Sequence, residues 1–239
     1  RLYDTHQPEI ELIAGAIERS GRSMVLSLSP GPAPAEYADF FAGHANMWRV
    51  TDDFWDLWPL LLDMFDRCRT WQGIPGEGCW PDCDMLPLGH IGIRSVDGGG
   101  ADRWTRFTQD EQRTMMSLWS IFRSPLIFGG ELRDCDDWTL SLLTNREVLR
   151  MQRESRGARE ALREGGLIVW TAEHNDGSRY AAVFNVGEAE LKPELELTAL
   201  CLTNLASGTE LWSGEAAELD SGVLRTTVPA HGVRLYRLV

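Results

Sequence analysis

Basic residues are scarce in this chain: 23 Lys and Arg stand against 36 Asp and Glu, a net charge of -13 over 239 residues. Such a surface repels a nucleic-acid backbone or an anionic membrane, so neither is expected as a partner. Neutral small molecules, carbohydrate among them, fit better. Long apolar runs are missing too. No stretch of about 18 apolar residues exists, so no membrane span is expected. Cysteine is sparse and scattered. Cys68, Cys79, Cys83, Cys135 and Cys201 make five, an odd number with no framework spacing. Cys79 and Cys83 lack a second Cys/His pair at ligand spacing, so no metal is expected. No signal-peptide pattern follows Arg1, which leaves cytoplasmic and secreted locations both open. A start without Met suggests processing or a piece of a longer gene. No internal repeat or low-complexity tract stands out.

What the chain does have is tryptophan, ten of them. They serve as core or as flat faces for sugar rings. The first two thirds alternate helix-like and strand-like runs. Residues 8–19, "PEIELIAGAIER", put Ile10, Ile13, Ala14 and Ile17 on one helical face, with Pro8 near the start and Gly21 ending it. "MVLSL" (24–28) reads as a buried strand, "AEYADFFAGHA" as a helix and "MWRVT" as a strand. "DDFWDLWPLLLDMFDRCRTW" reads as one long helix kinked or restarted at Pro59. A Gly/Pro-rich loop follows. Thr108 and Glu111 form a capping box for a helix whose apolar face is Met115, Leu118, Trp119 and Phe122. "PLIFGG" reads as a buried strand after Pro125, and two short helices close the region.

Strand–helix alternation implies parallel strands with helices outside. Four units fit, and a full eightfold barrel needs about 250 residues. The expected fold class is therefore α/β: half of a (β/α)8 TIM barrel over residues 1–156, followed by an antiparallel β-sandwich over 157–239. The second part is marked by short strands between Gly, Asn and Asp turns. Open strand edges and an apolar interior would make a half barrel on its own prone to aggregate or to associate, a homo-oligomer included.

In a parallel barrel, reacting groups sit at the C-terminal strand ends. "SLSPGP" follows the first strand, "WRVTDD" ends the second, and "WPDCDMLPLG" occupies the third. Paired carboxylates there suit glycosidic bond cleavage, in which one acid protonates the leaving oxygen and the other attacks or activates water. Each residue also has a plainer role open to it. Thr51, Asp52 or Asp53 can cap the following helix. Arg49 can be a buried ion-pair partner, although a buried guanidinium is costly unless carboxylates or substrate meet it. Asp82 and Asp84 can be turn acids and Met85 core. His44 and His90 read as surface or satisfied loop positions, Trp104 and Trp138 as core.

These segments resemble glycoside hydrolase family 27, the α-galactosidases and α-N-acetylgalactosaminidases. The resemblance rests on "GRSMVLSLSPGP", "MWRVTDDFWDLW", "CWPDCDMLPLG", "SLWSIFRSPLIFGGELR" and "PAHGVRLYRL", in that order. It implies a (β/α)8 barrel with an antiparallel β domain, double displacement with retention, and no metal or other cofactor. The family's R-x-x-x-D pattern falls on Arg49 and Asp53, making Asp53 the implied acid/base and Arg49 a sugar-binding residue. Its W-x-D-x-D-M pattern falls on Trp80, Asp82, Asp84 and Met85. Asp84 would hold the Arg49/Asp53 pair close to the sugar, Met85 would line the pocket, and Trp80 would contact substrate. The family's K-x-D nucleophile motif is absent, and "YDTHQPEIELIAGAI" resembles the helix that follows it, which implies the C-terminal half of the (β/α)8 barrel with the nucleophile upstream of these residues. Ser29 stands where α-galactosidases often carry a glutamate that reaches the sugar's 2-hydroxyl. The smaller side chain leaves room for a 2-acetamido group. The resemblance thus implies hydrolysis of terminal α-D-galactosides, with α-N-acetylgalactosaminides or a non-catalytic sugar-binding role as alternatives.

Overall fold

The computed structural model describes residues 2–93 and 101–239. The chain runs through α1 (Leu2–Ser20), β1 (Ser27–Leu28), α2 (Ala38–His44), β2 (Met47–Arg49), α3 (Trp58–Trp71) and β3 (Trp80–Asp82). A small hairpin, β4 (His90–Ile91) and β5 (Arg103–Trp104), precedes α4 (Gln109–Phe122), α5 (Asp137–Leu143) and α6 (Arg146–Glu154). Strands β1, β2 and β3 lie side by side and parallel. Leu86 then bridges Phe128 in the parallel sense, where a fourth strand would run. With helices packed outside, this is the C-terminal half of a (β/α)8 barrel.

Alternation along β2 decides what points where. Trp48 is fully buried and faces the helices, stacked on Phe41 of α2 and tilted against Trp71 of α3, both with ring centres 5.8 Å away. Its neighbour Arg49 must then face the other side of the sheet, the barrel interior. The mixture of Trp and charge in "MWRVTDDFWDLW" thus begins as one strand with an apolar outer face and a charged inner tip.

The second part of the chain forms an antiparallel β-sandwich. It comprises β6 (Arg156–Glu164), β7 (Leu167–Glu173), β8 (Arg179–Asn185), β9 (Glu194–Glu196), β10 (Gly208–Glu210), β11 (Glu218–Asp220), β12 (Val223–Arg225) and β13 (Val233–Leu238). One sheet has the order β10-β13-β8-β7-β6, the other β11-β12-β9. The larger sheet is apolar on both faces. Tyr180, Ala182 and Phe184 of β8 join the barrel core, while Ala181 and Val183 face the smaller sheet. Helix α4 is the joint between the two parts. Its capping box forms as expected, and Met115, Leu118, Trp119 and Phe122 are fully buried. Truncating such a residue to Ala typically costs about 3–5 kcal/mol for an aromatic.

Several expectations need correction. Helix α1 starts at Leu2, and Pro8 lies inside it, at the cost of a backbone hydrogen bond. Of its expected apolar face only Ile10 is buried; Ile13 is exposed. The "MVLSL" segment is a strand only at Ser27–Leu28, and Val25, outside it, is 72% exposed. Residues 52–57 are not helical. Helix α3 begins at Trp58 with Pro59 in its first turn and Leu57 as an N-cap without a side-chain bond. Neither Thr51, Asp52 nor Asp53 therefore caps it. "PLIFGG" makes a single bridge rather than a strand, and Ile127 is exposed. Strand β6 escaped the sequence reading. It opens at Arg156, so a cut after 156 leaves one residue of this strand on the barrel side. Among the described residues, no helix is long and apolar enough to cross a membrane.

Candidate active site

The tips of β2 and β3 converge on one guanidinium. Arg49 Nη2 lies 2.6 Å from Asp84 Oδ2 and 3.3 Å from Asp53 Oδ1, and donates to the Asp52 carbonyl at 2.8 Å. The Arg49 side chain is buried, so its charge is met by carboxylates rather than by water. Its Nε is buried without a hydrogen-bond partner in the protein. Asp53 is different. Its side chain is 86% exposed, on a ledge formed by the tips of β2 and β3 in this half of the barrel. Asp53 faces solvent yet remains next to Asp84, because both carboxylates share the same Nη2. Asp52 is exposed and contributes its backbone carbonyl to Arg49.

Asp84 is held from every side. It takes a left-handed backbone, φ 76°, which an aspartate tolerates when its surroundings fix it. Its N–H donates to Asp82 Oδ1 at 2.9 Å, and its carbonyl accepts from Trp119 Nε1 at 2.9 Å. Its Oδ2 also accepts the Phe54 N–H at 2.7 Å, tying β3 to the segment that carries Asp53. Asp82 is the register partner of Arg49 across β2 and β3 and is buried. Burial pushes its carboxyl up to about 6, against the lowering pull of the Asp84 N–H and the Arg49 charge.

Two further contacts shape the ledge. Gly31 passes so close that an added Cβ would fall 2.0 Å from the Thr51 carbonyl oxygen and 3.1 Å from Arg49 Cβ. The "SPGP" loop thus packs directly onto the base of Arg49. Asp56 is fully buried. It accepts from Arg103 Nη2 at 2.5 Å and from the Arg106 N–H at 2.6 Å, anchoring the same segment to the chain beyond β5. The sequence reading gave no role to Asp56; an acid flanked by Trp55, Leu57 and Trp58 was the available signal.

Arg49, Asp53 and Asp84 are thus brought together. Met85 is half-buried next to them in sequence, with Gly129 packed against its Sδ. Ser29 is exposed just past the Leu28–Trp48 register pair, on the same strand-tip side as Arg49. Trp80 is not brought to this cluster. It occupies the opposite end of β3, where the Arg123 guanidinium lies 4.8 Å over its ring, and it lines a groove with Arg153, Ser155 and His174 at the sandwich. Trp104 is half-exposed rather than core, stacked on His90, which is held between Asp102 and Asp134. All five cysteines are free, and the close pair is Cys68 with Cys83, 3.6 Å apart, not Cys79 with Cys83. Among the described residues, no group of three or more His, Cys, Asp or Glu is arranged to hold a metal.

An exposed carboxylate beside a buried Arg–carboxylate pair, at the C-terminal tips of parallel strands, can exchange protons with a ligand on the ledge while Arg49 and Asp84 bind its hydroxyls. Half a (β/α)8 barrel with such a ledge, joined to an antiparallel sandwich, defines a glycosidase-type architecture. A family model described as alpha galactosidase A matches residues 4–154, and one for the alpha galactosidase C-terminal beta sandwich domain matches residues 164–238. The chain belongs to this family, glycoside hydrolase family 27. The structure of a GH27 β-L-arabinopyranosidase from Geobacillus stearothermophilus superposes with a TM-score of 0.95 at 54% identity, covering 100% of this chain and 55% of that one. A Bacillus halodurans protein provisionally assigned as an alpha-N-acetylgalactosaminidase superposes with a TM-score of 0.83 at 46% identity, with 100% and 55% covered. Alpha-galactosidase 2 of Arabidopsis thaliana is 26% identical over 227 residues, 93% of this chain and 54% of that protein. The chain thus spans about half the length of these relatives.

Proposed function

We propose that the polypeptide containing this chain is a retaining glycoside hydrolase acting on terminal α-D-galactopyranosides, with Asp53 as general acid/base. Asp53 protonates the leaving oxygen in the first step and deprotonates water in the second. Arg49 and Asp84 hold the sugar hydroxyls and orient Asp53, and Met85 and Ser29 line the ledge. The nucleophile, whose K-x-D motif does not occur in these residues, comes from the rest of the polypeptide. The observation that carries the reading is the single Arg49 Nη2 shared by Asp53 and Asp84.

A second substrate reading has its own support. β-L-Arabinopyranose has the ring stereochemistry of α-D-galactopyranose without the hydroxymethyl group, and the 54% identical relative is a β-L-arabinopyranosidase. The same ledge would serve both sugars, and the choice would rest on what surrounds the missing carbon. α-N-Acetylgalactosaminides are the third candidate, through the small side chain at Ser29 and the 46% identical relative. The test is turnover of the three matching nitrophenyl glycosides by the full-length polypeptide. Hydrolysis of the galactoside or arabinopyranoside supports the reading and ranks the two. Inactivity on all three, with retained sugar binding, would replace it by a binding role.

A further inference from the structure

The segment that carries Asp53 is gripped at two ends, and the second grip comes from the other domain. Its start is held by Arg49 and Asp84. Its end runs into Trp58, the first residue of α3, whose indole stacks on the His231 imidazole with ring centres 3.8 Å apart and planes 9° from parallel. His231 belongs to the sandwich, in the turn 229–232 between β12 and β13.

The turn is built to present this ring. His231 takes a left-handed backbone, φ 55°, unusual for a bulky side chain. Its Nδ1 pairs with Glu111 Oε1 at 2.9 Å and its Nε2 with Glu188 Oε1 at 3.1 Å. Thr114 Oγ1 donates to the His231 carbonyl at 2.7 Å. Asn185 braces the turn from β8: its Nδ2 donates to the carbonyls of Val228 at 3.1 Å and Pro229 at 3.0 Å, and its N–H to the Gly232 carbonyl at 2.9 Å. Glu111 meanwhile closes the α4 capping box, its Oε2 accepting the Thr108 N–H at 2.8 Å. One imidazole therefore joins the start of α3, the start of α4 and the sandwich.

We infer that His231 is a positioning residue: through its stack on Trp58, the β-sandwich fixes the segment from which Asp53 reaches the substrate. The inference rests on the reading of Asp53 as acid/base. Between the two grips lie Phe54, packed on Trp119 with ring centres 4.9 Å apart, and Asp56, anchored by Arg103. Asp53 itself is exposed and held by one 3.3 Å contact, so its placement follows that of the backbone on either side. Releasing Trp58 shifts the acid away from the leaving oxygen. The loss falls on substrates whose leaving group must be protonated and spares those whose leaving group departs unaided.

The experiment compares kcat/KM of the full-length polypeptide on an alkyl glycoside and on the 2,4-dinitrophenyl glycoside of its preferred sugar. His231→Asn keeps a residue at ease in the left-handed backbone but removes the stack, Trp58→Ala removes the other ring, and Trp58→Phe keeps a ring. We expect His231→Asn and Trp58→Ala each to lower the alkyl rate by about tenfold while the dinitrophenyl rate stays within about twofold. Trp58→Phe should recover most of the loss, and the double variant should be no worse than the poorer single, because both break one contact. Equal losses on both substrates, or no loss on the alkyl glycoside, would overturn the inference. Asp53→Asn measured alongside separates it from the reading beneath: a leaving-group-dependent loss for Asp53→Asn and none for His231→Asn removes the inference alone, and its absence from Asp53→Asn removes the reading. If His231→Asn does not fold, Trp58→Ala against Trp58→Phe decides by the same two-substrate ratio.

Discussion

Trp80 and Asp84 are four positions apart in one motif, yet they live in different environments. Trp80 starts β3 and faces the sandwich, its ring covered by the Arg123 guanidinium that also donates to the last carbonyls of α6, Gln152 and Arg153. Asp84 follows the end of β3 and meets Arg49 at the ledge. A strand of three residues is enough to separate packing from chemistry, because in parallel α/β barrels reacting groups gather at the C-terminal strand ends and the N-terminal ends serve stability. The two ends also differ in how charge is treated. At the Trp80 end Arg123 caps a helix and stacks on an aromatic ring; at the Asp84 end Arg49 is surrounded by carboxylates.

This contrast can be broken in order of expected effect. Asp53→Asn should lower turnover by about 10²–10⁴-fold, the usual cost of losing an acid/base, with Asp52→Asn much milder because Asp52 acts through its carbonyl. Steady-state kinetics check both, and comparable losses at the two positions would undo the assignment. Arg49→Leu should destabilise the fold by about 3 kcal/mol in a denaturant titration, since it strands Asp84 and Asp82 without their cation. Asp82→Asn sharpens the site end through pH. A carboxyl raised from 3.8 to about 6 in the fold binds its proton more tightly than in the unfolded chain. Wild-type stability from this group is therefore greatest below about 4 and is lost as pH rises through about 6. The amide keeps an acceptor for the Asp84 N–H, so its melting temperature should exceed that of the wild type at pH 8, and the gap should shrink toward pH 4. Trp80→Leu, at the other end, should cost about 1 kcal/mol of stability by losing the cation–π contact and part of its burial, while kcat/KM changes little. A large KM effect there would return Trp80 to the substrate.

The sequence made some of this legible and hid the rest for physical reasons. The capping box at Thr108 and Glu111 and the apolar face of α4 are local signals, and they form as written. Strand–helix alternation brought "WRVTDD" and "WPDCDM" to one face of the barrel, and the resemblance to glycoside hydrolase family 27 singled out Arg49, Asp53 and Asp84 within them. The start of α3 was misplaced because the apolar residues Phe54, Trp55 and Leu57 run without a break into those of the helix, whereas Pro59 fits only the first turn and Asp56 is drawn away by Arg103. Strand β6, "RGAREALRE", has too few apolar residues to show a strand period; it is an edge strand, held by pairing with β7. The stack of His231 on Trp58 joins residues 173 positions apart, and no local pattern announces it.

The central claim is that Asp53 is the acid/base held by Arg49 and Asp84, and azide rescue addresses it most directly. In the full-length polypeptide, Asp53→Ala opens space for a small anion that attacks a glycosyl–enzyme intermediate without needing a base. On a dinitrophenyl galactoside or arabinopyranoside, azide should restore turnover and give the glycosyl azide with the substrate's own anomeric configuration. An azide product of inverted configuration would make Asp53 the nucleophile instead, and no rescue at all would remove it from the reaction.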